Sequence, residues 1–151
     1  MLAEGDKLPK ITVEDDAGKP IKTADLLGGP LIIYFYPKDD TPGCTSEASQ
    51  FRDLYAKFQK KGARIVGVSR DTPESHRKFK AKFAIPFTLL ADTKSELCDA
   101  FGVIVEKNMY GKKSLGVQRA TFLIDGNGVI VKAWPKVKVD DHADEVLASL
   151  P

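Results

Sequence analysis

The longest uninterrupted apolar run in the chain is Leu31 to Tyr36 (LIIYFY), ended by Pro37. A short apolar run bounded by turn signals predicts a strand buried on both faces. The next apolar positions, Ala48, Phe51, Leu54, Tyr55 and Phe58, recur at three- and four-residue spacing. They predict an amphipathic helix reaching about Lys61, with Gly62 as its stop. Its start is Thr41-Pro42: threonine can cap, and proline suits the first helical position. Cys44 is then third in the helix and lies on the same inward stripe as Phe51, facing a pocket floor. Arg64 to Ser69 (RIVGVS) predicts a second strand, so the segment is a βαβ unit with parallel pairing.

The flanking pattern fills in the rest. Ile11 to Val13 and Pro20 to Lys22, around Asp15-Asp16-Ala17-Gly18, predict a hairpin at the domain edge. Thr72-Pro73 starts a helix with Phe79 and Phe83 inward. Phe87 to Leu90 predicts a strand and Lys94 to Phe101 a short helix. Asn108 to Leu115 is polar, contains Gly111, and reads as a loop. Ala120 to Ile124 and Val129 to Trp134, joined by Asp125-Gly126-Asn127-Gly128, predict a second hairpin. Asp140 to Leu150 closes as a helix. Periodicity alone therefore gives an α/β chain, with a central mixed sheet flanked by helices and an N-terminal hairpin.

A length of 151 residues fits one domain, 1–151. A net charge of +2, from 23 basic and 21 acidic residues spread along the chain, gives no support for nucleic-acid or membrane binding. No run approaches a spanning helix. Glu4, Asp6 and Lys7 stand where a signal peptide would be apolar. Two cysteines are too few for a disulfide scaffold, and the expected compartment is a reducing cytoplasm. There is no zinc pattern, P-loop or G-x-G-x-x-G.

Candidate chemistry follows from the position of Cys44. A helix start has unpaired N–H groups and the positive end of the macrodipole. Both favour an anion, so the thiolate of Cys44 is expected to be favoured over the thiol. Cys98, beside Leu97 in a short apolar helix, is expected to be a buried inert thiol. His76 and His142 lie among charged residues and are expected to be solvated.

The string YPKDDTPGCTSEA, with Pro37, Thr41 and Cys44 as P-x-x-x-T-x-x-C, resembles the active site of the peroxiredoxins, closest to the PrxQ or bacterioferritin comigratory protein group. The likeness continues through GDKLPKITVEDDAGKPI, ARIVGVSRD, FTLLAD, FGV and RATFLIDGNGVI. It implies a thioredoxin-like fold and a thiol-dependent peroxidase that reduces hydrogen peroxide and organic hydroperoxides. It further implies no metal or organic cofactor, recycling by thioredoxin, glutaredoxin or a small thiol, and a monomer. By resemblance, Cys44 attacks the peroxide, and Thr41 with nearby N–H groups, Gly43 among them, holds it. Arg119 stabilises thiolate and leaving oxygen, Pro37 shields the pocket, and Glu47 orients the arginine. The bland alternatives are an N-cap for Thr41, a surface arginine on an edge strand for Arg119, and an ordinary first-turn acid for Glu47.

The departure from the familiar pattern is Ser49, which stands where the resolving cysteine would lie, five residues after Cys44. Three readings follow: a natural one-cysteine enzyme using an external thiol, resolution by Cys98, or an engineered Cys-to-Ser substitution. A PrxQ subgroup carries the resolving cysteine on the next helix, near Lys80, and none is there. Two other function classes compete: a thioredoxin-fold disulfide reductase, which normally needs C-x-x-C, and a holdase-type binding module, which would need neither Thr41 nor Arg119.

Overall fold

The computed structural model describes residues 1–151. In chain order the elements are β1 (Thr12–Asp15), β2 (Pro20–Lys22), a 3-10 turn (Thr23–Leu26), β3 (Leu31–Phe35), α1 (Pro42–Lys60), β4 (Arg64–Ser69), α2 (Pro73–Phe83) and β5 (Thr88–Ala91). They continue with α3 (Glu96–Phe101), β6 (Ile104–Met109), β7 (Lys112–Val117), β8 (Ala120–Ile124), β9 (Ile130–Trp134) and α4 (His142–Ala148). Seven strands form one sheet in the order β2-β1-β5-β4-β3-β8-β9. β3, β4 and β5 are parallel neighbours, whereas β8 and the β1–β2 hairpin pair antiparallel at either side.

The central strand behaves as its composition demands. Leu31, Ile33 and Phe35 enter one core cluster, and Ile32, Tyr34 and Tyr36 enter the other. Successive side chains on a strand point to opposite faces, so a strand covered on both sides must be apolar throughout. Residues of α1, α2 and α4 pack with the second cluster, and those of α3 with the first. The βαβ unit β3–α1–β4 followed by β8–β9–α4 is the thioredoxin-like arrangement that the resemblance implied.

Three expectations are corrected. Asn108 to Leu115 is not a loop: β6 and β7 pair from Ile104↔Val117 to Met109↔Lys112. Their two-residue turn, Tyr110-Gly111, has positive φ at both positions, as the turns that match strand twist require. The ribbon stands outside the main sheet and is largely solvent-exposed, so it needs no apolar alternation and left none to read. His76 and His142 are not solvated either: both are buried. Each occupies an inward position of its helix, His76 three residues before Phe79 and His142 four before Val146.

Candidate active site

The β3 strand ends at Phe35, Pro37 is half-buried, and a loop of four residues, Lys38 to Thr41, turns the chain into α1. Thr41 has the extended backbone of an N-cap, but its hydroxyl does not cap the helix. It donates instead to the Lys38 carbonyl at 2.8 Å, which closes the loop. The N-cap reading of Thr41 thus holds for its backbone and fails for its side chain. Its oxygen, having given its proton away, is left as an acceptor.

Pro42 is the first helical residue and Cys44 the third. The first α1 hydrogen bond runs from Thr45 N to Thr41 O at 2.8 Å. The N–H groups of Gly43 and Cys44 therefore have no helical acceptor. Cys44 is only 1% exposed and belongs to the core cluster beneath α1, together with Ala48 and Phe51. The inward stripe read from sequence is thus present.

Arg119 reaches this helix start from the residue preceding β8. Its Nη1 donates to Glu47 Oε1 at 2.7 Å, and its Nη2 lies 3.4 Å from Cys44 Sγ. A Cβ on Gly43 would stand 3.1 Å from that Nη2, so glycine here leaves room for the guanidinium. The Arg119 side chain is 15% exposed, which excludes its surface reading, and that of Glu47 is 1% exposed and turned toward Arg119. Burial pushes the Glu47 carboxyl up to about 7, against the pull of Arg119. Glu47 Oε2 and the Tyr34 hydroxyl are buried without a partner, and burial raises the Tyr34 phenol well above its ordinary range.

Ser49 is half-buried at the start of the third turn of α1. Cys98 is fully buried in the cluster with Phe35 and Phe101, on the opposite face of the sheet from Cys44. The Asp92 carboxylate accepts from its backbone N–H, and burial first, then Asp92, push the thiol far above its ordinary range. The structure therefore brings Thr41, Gly43, Cys44, Glu47 and Arg119 together and keeps Cys98 away.

Sequence reasoning missed the buried side chains behind the Lys38–Thr41 loop. Asp39 accepts from Tyr36 and meets His76 across 37 residues of sequence. The signal was present in the helical spacing of His76 to Phe79, which marks an inward position. It also missed Lys107 on β6. Burial, then Arg119, hold its ammonium below the usual lysine range, and its stem crosses Gly116.

Comparison with known proteins decides the family. Residues 4–133 match the family described as AhpC/TSA. The chain belongs to that family. It is 49% identical over 146 residues to a putative peroxiredoxin Bcp of Coxiella burnetii, which covers 97% of each chain. It is 57% identical over 120 residues to peroxiredoxin Bcp of Xanthomonas campestris, covering 80% of this chain and 75% of that one. Among solved structures, Xanthomonas campestris peroxiredoxin Q aligns with a TM-score of 0.88 at 50% identity, over 93% of this chain and 89% of the other. A cysteine-to-serine mutant of Xylella fastidiosa PrxQ aligns with a TM-score of 0.94 at 40% identity, over 99% and 96%. Another Xanthomonas structure concerns the alkyl peroxide reduction activity of its bacterioferritin comigratory protein. This member of the family is thus a peroxiredoxin of the Bcp/PrxQ group, with the thioredoxin-like fold and thiol peroxidase activity of that group.

Proposed function

We propose that Cys44 is the peroxidatic residue and that this chain works with an external thiol as its resolving partner. The observation that carries the reading is the contact of Arg119 Nη2 with Cys44 Sγ at the free start of α1. A thiolate placed there faces a fixed positive fork and unpaired N–H groups. In the reaction the sulfur attacks the terminal peroxide oxygen. An S–O bond forms as the O–O bond breaks, the sulfur loses two electrons, and the leaving alkoxide or hydroxide takes up a proton. Arg119 and the Gly43 and Cys44 N–H groups are the donors available to the charge that develops. The Thr41 oxygen can accept from the peroxide hydroxyl, Pro37 shields the pocket from water, and Glu47 holds Arg119 by its other nitrogen.

Recycling takes two thiols. The first attacks the Cys44 sulfenic sulfur and releases water, and the second displaces Cys44 as thiol from the mixed disulfide. Ser49 cannot perform the first step, and Cys98 lies across the sheet. Thioredoxin, glutaredoxin or a small thiol is the proposed reductant, in a reducing cytoplasm, with the protein acting as a monomer. No helix is long and apolar enough to cross a membrane.

The test is peroxide consumption with dithiothreitol alongside insulin reduction, for the parent and for Cys44→Ser. Peroxide consumption lost in the variant, with no insulin reduction by the parent, is expected. Insulin reduction without peroxide consumption would make the protein a disulfide reductase.

A further inference from the structure

Behind the Lys38–Thr41 loop lies a polar cluster that the chemistry above does not use. Asp39 and His76 are both buried, His76 completely. Asp39 Oδ1 accepts from the Tyr36 hydroxyl at 2.6 Å. Its Oδ2 accepts from the Ser75 hydroxyl at 2.8 Å and meets His76 Nδ1 at 2.7 Å. Its backbone N–H donates to Asp71 Oδ2 at 2.8 Å, and the Ser69 hydroxyl donates to the same oxygen at 2.6 Å. His76 Nε2 lies 2.9 Å from the Leu90 carbonyl oxygen. Asp39 is thereby tied to Tyr36, the residue that follows β3, to the segment after β4, to α2 and, through His76, to β5.

The arrangement has a defined proton count. The Leu90 carbonyl can only accept, so Nε2 carries a proton. The short contact of Nδ1 with Asp39 needs a second proton between them. The pair is therefore an imidazolium and a carboxylate, or holds the same two protons in another division. One ligand atom from each of Asp39, Asp71 and His76 lies within 4.8 Å of the other two, the spacing of a metal site. All three side chains are instead engaged in hydrogen bonds within the cluster.

We propose that Asp39 and His76 are positioning residues, a buried clamp that fixes the Lys38–Thr41 loop so that Thr41 and the start of α1 meet the peroxide in register. Asp39 is the second residue of a turn closed by the Thr41 hydroxyl on the Lys38 carbonyl. Asp40, the next residue, has a left-handed backbone, φ 57°, so the chain reverses directly after the clamp. A rigid link at Asp39 therefore sets where Thr41 points. In catalysis by positioning, a shift of about 1 Å costs up to about a hundredfold in rate. The inference rests on Cys44 and Thr41 acting as proposed above.

The experiment measures two rates at Cys44: oxidation by one equivalent of hydrogen peroxide, and alkylation by iodoacetamide. Alkylation needs the thiolate and access but no peroxide alignment. Asp39→Ala and His76→Phe are expected to slow oxidation about tenfold or more and to leave alkylation within about threefold of the parent. Asp39→Asn should recover oxidation to within about threefold. Its amide can donate to a neutral His76 that still donates to Leu90, so the links survive without the charges.

Oxidation unchanged in Asp39→Ala and His76→Phe would overturn the clamp. So would equal changes in both rates, which would mark general loosening around Cys44. An Asp39→Asn variant as slow as Asp39→Ala would assign the effect to charge and also overturn it. Should neither truncation fold, Ser75→Ala removes one link without stranding a buried charge. A selective loss of oxidation is expected there, and none would overturn the clamp. If the parent itself forms no sulfenic acid at Cys44, the proposed function fails first and the clamp with it.

Discussion

Arg119 Nη2 and Cys44 Sγ lie 3.4 Å apart although 75 residues separate them in the chain. The contact exists because β3 and β8 are neighbours, with Phe35 opposite Ala120. The loop leaving β3 and the residue entering β8 therefore meet at one end of these two neighbouring strands. The same fork bonds Glu47, so one guanidinium serves two partners.

That geometry makes Arg119 hard to replace. Losing a donor aimed at developing charge costs about 2.7–4 kcal/mol of transition-state stabilisation. Arg119→Met is expected to slow oxidation of Cys44 by about a hundredfold or more, with the circular dichroism spectrum unchanged. Arg119→Lys should recover little, because a point charge cannot span Glu47 and Cys44 together. Stopped-flow single-turnover rates check both. A lysine variant near the parent rate would show that only charge matters.

The two cysteines should separate cleanly in reactivity. Burial and Asp92 push the Cys98 thiol far above its ordinary range, and its side chain is fully enclosed. At neutral pH, site-resolved mass spectrometry should find alkylation at Cys44 and essentially none at Cys98 until the protein is unfolded. Faster labelling of Cys98 in the native protein would reverse the site assignment.

Glu47 and His142 are expected to pull the pH dependence of stability in opposite directions. The Glu47 carboxyl is raised from 4.5 to about 7, so the folded state holds a proton that the unfolded chain has lost. Its contribution is complete below about pH 4.5 and is lost as pH rises through about 7, a change on the order of 3 kcal/mol. Burial lowers His142 from 6.5 to about 4, so the unfolded chain takes up a proton that the folded one refuses. That contribution is complete above 6.5 and is lost as pH falls toward about 4, by a similar amount. In the parent the two effects offset one another between about pH 4.5 and 6.5. Urea unfolding across that range should show Glu47→Gln losing stability toward acid more steeply than the parent. Parallel curves for the two proteins would show that Glu47 does not titrate in this window.

For Ser49 the prediction is redox chemistry. In an ideal helix, residues five apart have Cα atoms about 8.7 Å apart, beyond the roughly 7 Å that a disulfide spans. A cysteine at position 49 could reach Cys44 only after α1 unwinds locally. One equivalent of peroxide should leave the parent as Cys44 sulfenic acid with no intramolecular disulfide. Excess peroxide should then carry it to sulfinic and sulfonic acid. Ser49→Cys should form a disulfide with Cys44 and gain turnover by thioredoxin. Intact and peptide masses under non-reducing conditions check both proteins. A Cys44–Cys98 disulfide in the parent would overturn the assignment of an external thiol.

The features legible along the chain are local and periodic. The unbroken run Leu31–Tyr36 can satisfy its apolar side chains only between two layers. The stripe from Ala48 to Phe58 fixes which way α1 faces and, with Thr41-Pro42, where Cys44 sits in its first turn. Hairpin β8–β9 was legible because Asp125 to Gly128 carries turn chemistry. Helix starts and strand alternation depend on neighbours within a few residues, so a linear reading can reach them. The role proposed for Arg119 was legible only through resemblance, since nothing local marks one arginine among many.

Features that depend on partners distant in the chain emerge only in the folded molecule. Polar residues around His76 and His142 suggested solvent, yet the inward faces of α2 and α4 bury both. The Thr41 hydroxyl, free by its local pattern to cap α1, is taken by the Lys38 carbonyl. The β6–β7 ribbon is a strand pair that its composition concealed, because an exposed ribbon needs backbone pairing and no apolar face. Cys98 is set apart from Cys44 by a layer of sheet that no spacing encodes. Each outcome is a competition for hydrogen-bond partners and burial, and it is settled only when strands far apart in sequence become neighbours.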